Sequence, residues 1–184
     1  MSVLEALQQR NSQPRLTEPG PEGAALEQIL CAGLRAPDHG RLRPWHFVVV
    51  AGERRESLGT IFEQALLLRS PDAEPSERNR ALAAPMRAPV IIAGLLKHKP
   101  SDNVPRVEQV GAVASALHGM LLATEALGFG GVWRTGAYAR DPLVINALGG
   151  DPGDEVIGFL YLGTPNGPAK PIPDADLAKH VSYF

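Results

Sequence analysis

The chain has 184 residues, with 18 Lys and Arg against 20 Asp and Glu and a formal net charge of −2. That size suits a single domain over 1–184, and the charge balance excludes the basic footprint of a nucleic-acid binder. At 44% hydrophobic and 21% charged residues the chain is expected to fold rather than stay disordered; its one cysteine, Cys31, excludes an internal disulfide or a multi-thiolate metal centre and points to the cytoplasm.

Residues 2–9 read as a short helix capped by Ser2, with Val3, Leu4 and Leu7 on one face. They lack a basic leader, so a secretory signal is not expected. A polar loop over 10–15 and a turn-rich stretch over 18–21 follow. Residues 24–34 return to helix, apolar at Leu26, Ile29 and Leu30, and stop before Pro37 because the residue preceding a proline is pushed out of the helical region. The β-branched run 46–51 predicts a strand and 54–68 an amphipathic helix. With Pro71 and Pro75, 70–76 predicts an exposed, mobile crossing that could serve as a lid. Residues 89–96 predict a second strand. The longest helix is predicted over 105–127, starting on a proline and ending at Gly128. It is apolar nearly all round, which places it centrally or in a subunit interface, while Ser115, His118, Thr124 and Glu125 interrupt it too often for a membrane span. Segments 131–134 and 156–163 complete four strand candidates, and the alternation predicts helices on a mixed sheet of four or five strands.

Three segments carry groups suited to ligand chemistry. The loop after the first helix holds Arg10, Ser12 and Arg15, and a phosphate takes several such charge-assisted donors at once. Spacing alone favours the plainer reading of a basic helix cap on a solvated turn, since a cation at a helix C-terminus is favourable without any ligand. Arg35, Asp38 and His39 lie in a helix-to-strand connection, followed by Arg41, Arg43 and Trp45, where proteins of this class place ligand contacts. No further ligands accompany His39, so no metal is expected. In GFGGVWRTG (128–136), Gly128, Gly130 and Gly131 allow backbone to approach a flat ligand, and Arg134 and Thr135 add donors at the strand's end. A glycine helix stop followed by a core tryptophan is the alternative. The chain has no G-x-S-x-G elbow and no Walker loop, and Cys31 sits within a helix without a histidine partner, so no protein nucleophile is expected.

Taken in order, Arg10-x-Ser12, Arg35-Ala-Pro-Asp-His39, Arg43-Pro-Trp-His-Phe47, VPRVEQ (104–109), GFGGVWR (128–134), GFLYLGTP (158–165) and the terminal Tyr183-Phe184 resemble the FMN-dependent nitroreductase family, in its small bacterial YdjA-type branch, over essentially the whole chain. The resemblance implies an α+β fold, a three-layer α/β/α sandwich with the long helix at a homodimer interface, and two FMN molecules bound across that interface. It implies a ping-pong enzyme in which NADH or NADPH reduces the flavin and the flavin reduces nitroaromatic, quinone or similar electron-poor small molecules. FMN contacts fall on Arg10, Asn11, Ser12, Arg35, His39, Trp133, Arg134 and Thr135, some from the partner chain; the nicotinamide nucleotide falls on Ala123, Thr124, Glu125, Ala126, Leu127 and Gly128. No protein group is implied as a catalytic residue, because the flavin carries the chemistry. Two positions depart from the branch: Asn11 stands where a second arginine is usual, and Arg43 where glutamine is commoner. The competing readings are a flavin-binding or sequestering module without turnover, and a regulatory domain whose arginines bind another phosphate ligand.

Overall fold

Strand β5 (Glu155–Pro165) organises the sheet. In this computed structural model, which describes residues 2–168 and 170–184, β5 takes β3 (Val90–Leu96) on one edge and β4 (Gly130–Arg134) on the other, both antiparallel. Its last two residues pair with the two-residue β1 (Leu16–Thr17), and β2 (Trp45–Ala51) pairs antiparallel with the far side of β3.

Every pairing is antiparallel, where a mixed sheet was expected from the alternation of helices and strands. The physical reason is a helix missing from the sequence reading. Between β2 and β3 the chain makes α3 (Arg54–Arg69) and then α4 (Pro75–Ala83), which pack on each other. Two helical passes return the chain to the end of the sheet where β2 finished, so β3 runs back along it. The last two residues of the predicted mobile crossing are therefore the start of α4. Glu74 and Glu77 form a reciprocal capping box there, and Pro75, read as a breaker, occupies a first-turn position that suits proline. The one helical crossover, α5 (Arg106–Ala126), does make β3 and β4 run in the same direction, but β5 lies between them.

The three-layer arrangement follows from two cores, one on each face of the sheet. On one face Phe62, Ala65, Ala81, Ile91, Val144, Phe159 and Tyr161 join α3, α4 and α6 (Pro142–Ala147) to the strands. On the other, Ile29 of α2 (Gly23–Gly33) packs with Leu117, Met120 and Leu121 of α5 against Val90, Ile92, Leu160 and Leu162. Close approach of α2 to α5 depends on Gly33, where a Cβ would run into Met120. The short α1 (Val3–Gln9) is fixed by a capping box between Ser2 and Glu5. Buried Asp141 caps α6 through the Leu143 amide at 3.0 Å and pairs with Arg69 at the end of α3. Arg69 in turn lies over Tyr138, whose ring stacks on Phe62 at 4.1 Å. This chain of contacts clamps the segment that leaves β4. Among the described residues no helix is long and apolar enough to cross a membrane.

Candidate functional site

Strand β4 has β5 on one side and an edge largely free of strands on the other. At its start that edge is held by the loop after α1: the Gln13 amide donates to the Gly131 carbonyl at 2.9 Å, and the Asn166 amide donates to the Arg15 carbonyl at 3.0 Å. Gly130 is required by this approach, since a Cβ there would lie 3.0 Å from Gln13 and 2.9 Å from Pro165. Arg10, Asn11 and Ser12 are thereby set, half-buried, beside the beginning of β4. The last turn of α5 borders them. Burial pushes the Glu125 carboxyl up, and the Asn11 backbone amide and the Arg10 guanidinium oppose that rise.

Not every predicted contact residue here is free to meet a ligand. The Asn11 side chain donates to the carbonyls of Lys170, at 2.9 Å, and Pro171, at 3.4 Å, tying the C-terminal segment to the loop. Thr124 is fully buried and its hydroxyl donates to the Met120 carbonyl at 2.7 Å, while Ala123 packs into the core under α5. Of the predicted nucleotide segment, Ala126, Leu127 and Gly128 are exposed and Glu125 is half-buried.

At its other end β4 delivers Trp133, Arg134 and Thr135. Because the Gly131 carbonyl faces the free edge, the backbone groups of Trp133 face it too, two residues further on. The Trp133 indole sits against Gly158 of β5, a position only glycine permits, since a Cβ would come within 1.9 Å of the indole Nε1. The Arg134 guanidinium sits 5.4 Å from the centre of the Tyr161 ring, and its buried Nε has no hydrogen-bond partner among the described residues. Trp133, Arg134 and Thr135 border a cavity of about 400 Å³ closed by Phe62, Tyr138 and Tyr161.

Burial pushes the Tyr161 hydroxyl up to about 12, against the opposing charges of Arg134 and Arg87. A raised tyrosine favours the neutral phenol in the folded state. Its contribution to stability is complete below the unfolded value near 10 and is lost as pH rises through 12. Tyrosinate absorbance near 295 nm is therefore expected to show one phenol, absent in Tyr161→Phe, that ionises near pH 12; ionisation of that phenol near 10 in the folded protein would contradict the assignment.

Arg35 and His39 are not brought to this strand's start. Arg35 follows α2 and is exposed. His39 pairs through Nδ1 with Glu108 Oε2 at 2.6 Å, in the first turn of α5. Glu108 and Glu125 are separated by about 25 Å of helix, so His39 and Arg10 of one chain stand at opposite ends of α5. Sequence reasoning also missed Gln13, which anchors the loop, and Tyr161, which backs Arg134. Gly158 carried a readable signal, because a lone glycine inside a strand marks close approach of another group. No cluster of His, Cys, Asp and Glu suited to a metal occurs among the described residues.

Residues 7–164 match the family model described as "Nitroreductase family". Along 185 aligned positions, covering 100% of both chains, the sequence is 43% identical to an Escherichia coli K12 protein named "Putative NAD(P)H nitroreductase YdjA". Its fold is similar to the crystal structure of a nitroreductase-like family protein from Bacillus cereus, with a TM-score of 0.85 at 21% identity over 100% of this chain and 96% of that one. It is also similar to a Bacteroides fragilis nitroreductase with bound FMN, with a TM-score of 0.76 at 22% identity over 100% and 99%. A family model spanning the sheet, both cores and β4 with its bordering loop, together with a full-length relative at this identity, establishes that the chain belongs to the nitroreductase family.

Proposed function

We propose that the protein is an FMN-dependent NAD(P)H oxidoreductase that reduces electron-poor small molecules, nitroaromatics and quinones among them, as a cytoplasmic homodimer. The observation that carries this reading is the layout of β4. The loop carrying Arg10 and Ser12 meets the start of its free edge, where the Gln13 amide reaches Gly131, and Trp133, Arg134 and Thr135 stand at the other end of a strand roughly 13 Å long. A flavin mononucleotide has that shape, with an anionic phosphate at one end and a flat heteroaromatic ring at the other. The residues fit the group. Arg10 and the Ser12 hydroxyl suit the phosphate, and the outward backbone groups of Trp133 suit the polar edge of the ring. The unpartnered Nε of Arg134 is a donor available beside that ring.

When bound, FMN would supply the redox chemistry, accepting hydride from the nicotinamide nucleotide and passing the electrons to a second substrate. The chain's own groups place and polarise. Arg10 and Ser12 hold the phosphate. Arg134, backed by Tyr161, would place a positive charge beside the ring. The exposed turn at Ala126, Leu127 and Gly128, with Glu125 beside it, is assigned to the nicotinamide nucleotide. His39 pairs with Glu108, about 25 Å along α5 from Glu125 beside Arg10, so its contact with the same flavin would come from a second subunit, which supports the homodimer reading.

The visible spectrum of the purified protein tests the reading. Flavin bands are expected, bleaching anaerobically when NADH or NADPH is added and returning when a quinone follows. Flavin that binds but does not bleach would identify a sequestering module, and a colourless protein that FMN cannot reconstitute would overturn the proposal.

A further inference from the structure

The cavity of about 400 Å³ at the end of β4 opens on the face of the sheet that carries α3 and α4. Alternation along the strand puts it there. Trp133 packs against the α2 and α5 side, so Arg134 turns to the opposite face, over the ring of Tyr161. Phe62, Tyr138 and Phe159 supply aromatic wall, and Thr135 and Gly136 form an exposed rim. Two polar groups of this wall lack partners among the described residues. One is the buried Nε of Arg134. The other is the hydroxyl of Tyr161, a residue only 4% exposed, which forms no hydrogen bond there. With its ionisation pushed up to about 12, this phenol is a donor at neutral pH. A buried donor without an acceptor is costly, so two converging on one cavity point to an acceptor that the chain itself does not provide.

That acceptor is anionic. Among the described residues no carboxylate lines the cavity, and none forms an ion pair with Arg134. Arg87 adds positive charge beside Tyr161, while Asp141, which acts on Tyr138, is already held by Arg69 and the Leu143 amide. Two donors in an aromatic wall match the two oxygens of a carboxylate on a flat ring; a phosphate would leave oxygen against aromatic carbon. Small-molecule sites span about 300–1,000 Å³, and a cavity at the lower end suits one ring rather than a nucleotide. We propose that this cavity binds a single-ring aromatic carboxylate, held by Arg134 and the Tyr161 hydroxyl. The flavin is a separate occupant, assigned above to the free edge of β4, and the five donors of a guanidinium can serve both.

Titration calorimetry of the purified holoprotein with benzoate, benzamide and acetate tests this site. Benzoate is expected to bind at least about tenfold more tightly than benzamide, which lacks the charge, and than acetate, which lacks the ring. Tyr161→Phe keeps the ring and removes only the hydroxyl, so benzoate binding is expected to weaken about tenfold with the melting temperature kept. Ala84→Leu fills the cavity from its wall without touching either donor, and is expected to weaken benzoate binding at least about tenfold while FMN is retained. Benzoate that binds no more tightly than benzamide or acetate, or that binds both variants as tightly as the parent protein, would overturn the assignment. So would benzoate that displaces FMN, or Ala84→Leu protein that sheds it, since either gives the cavity to the flavin ring. A colourless preparation that still binds benzoate in the expected pattern removes the flavin reading and supports this site. A yellow one that NADH bleaches but that does not bind benzoate removes only the site.

Discussion

Arg10→Ala combined with Ser12→Ala is expected to weaken FMN binding by about a hundredfold while leaving riboflavin binding within about threefold. A charge-assisted bond to a phosphate contributes about 1.5–3 kcal/mol and a neutral hydroxyl about 0.5–1.5, so losing both lies near two orders of magnitude. Neither substitution should disturb the fold. Arg10 forms no ion pair within the described residues, and the loop is held through backbone bonds of Gln13 and Arg15 that the variant retains. Riboflavin lacks the phosphate, so it separates loss of an anion site from general damage to the pocket. Fluorescence titration of the deflavinated protein with each compound measures this. Equal weakening of both ligands would mean that the loop shapes the ring site, and no weakening of either would move the phosphate elsewhere on the protein.

Glu125 gives the same corner a second sign of its polarity. Its carboxyl is pushed up by burial, yet the Asn11 amide and Arg10 lie against it. An anion arriving at Arg10 and Ser12 meets positive groups that the protein has only partly neutralised. Asn11 contributes differently: its side-chain amide holds the carbonyls of Lys170 and Pro171 and so ties the C-terminal segment to this corner.

Much of this architecture was legible in the residues. The β-branched runs of β2, β3 and β5 and the length of α5 placed the sheet and its main crossover within a residue or two. Strand direction was not legible, because it turned on α4. That helix is polar, exposed along most of its length and opened by a proline, so it carries almost no apolar periodicity and reads as a loop. The segments around Arg10 and Trp133 stood out as ligand chemistry, but their relation did not. It depends on the Gln13 amide meeting the Gly131 carbonyl from far along the chain, a backbone contact that leaves no mark on side-chain identity. The separation of His39 from Arg10 is equally invisible in sequence, where both are simply early basic positions; it follows from His39 pairing with Glu108 at the start of α5 while Arg10 lies by Glu125 at its end. The positive φ angles of Arg41 and Arg43 were likewise invisible, since the residue types at these positions ordinarily avoid that region.

Gly158→Ala is expected to cost about 2–3 kcal/mol and to lower the melting temperature by about 6–10 °C, a large effect for one methyl group. The added Cβ would occupy the volume of the Trp133 indole. Relief on the strand side is difficult, because Gly158 pairs with Gly94 of β3 at a register shift and its neighbour Phe159 is paired with both β3 and β4. The indole must therefore swing away, carrying the outward face of β4 with it and misplacing Arg134, which stands over Tyr161 of β5. Stability and flavin retention should fall together. A double-mutant cycle isolates the cause: in a Trp133→Ala background the same Gly158→Ala substitution should cost less than about 1 kcal/mol, since the clashing ring is gone. Thermal melts of the four proteins, each with and without FMN, supply the numbers. A cost of Gly158→Ala that stays undiminished once the indole has been removed would place the requirement for glycine in the backbone of β5 and not in the seat of the tryptophan.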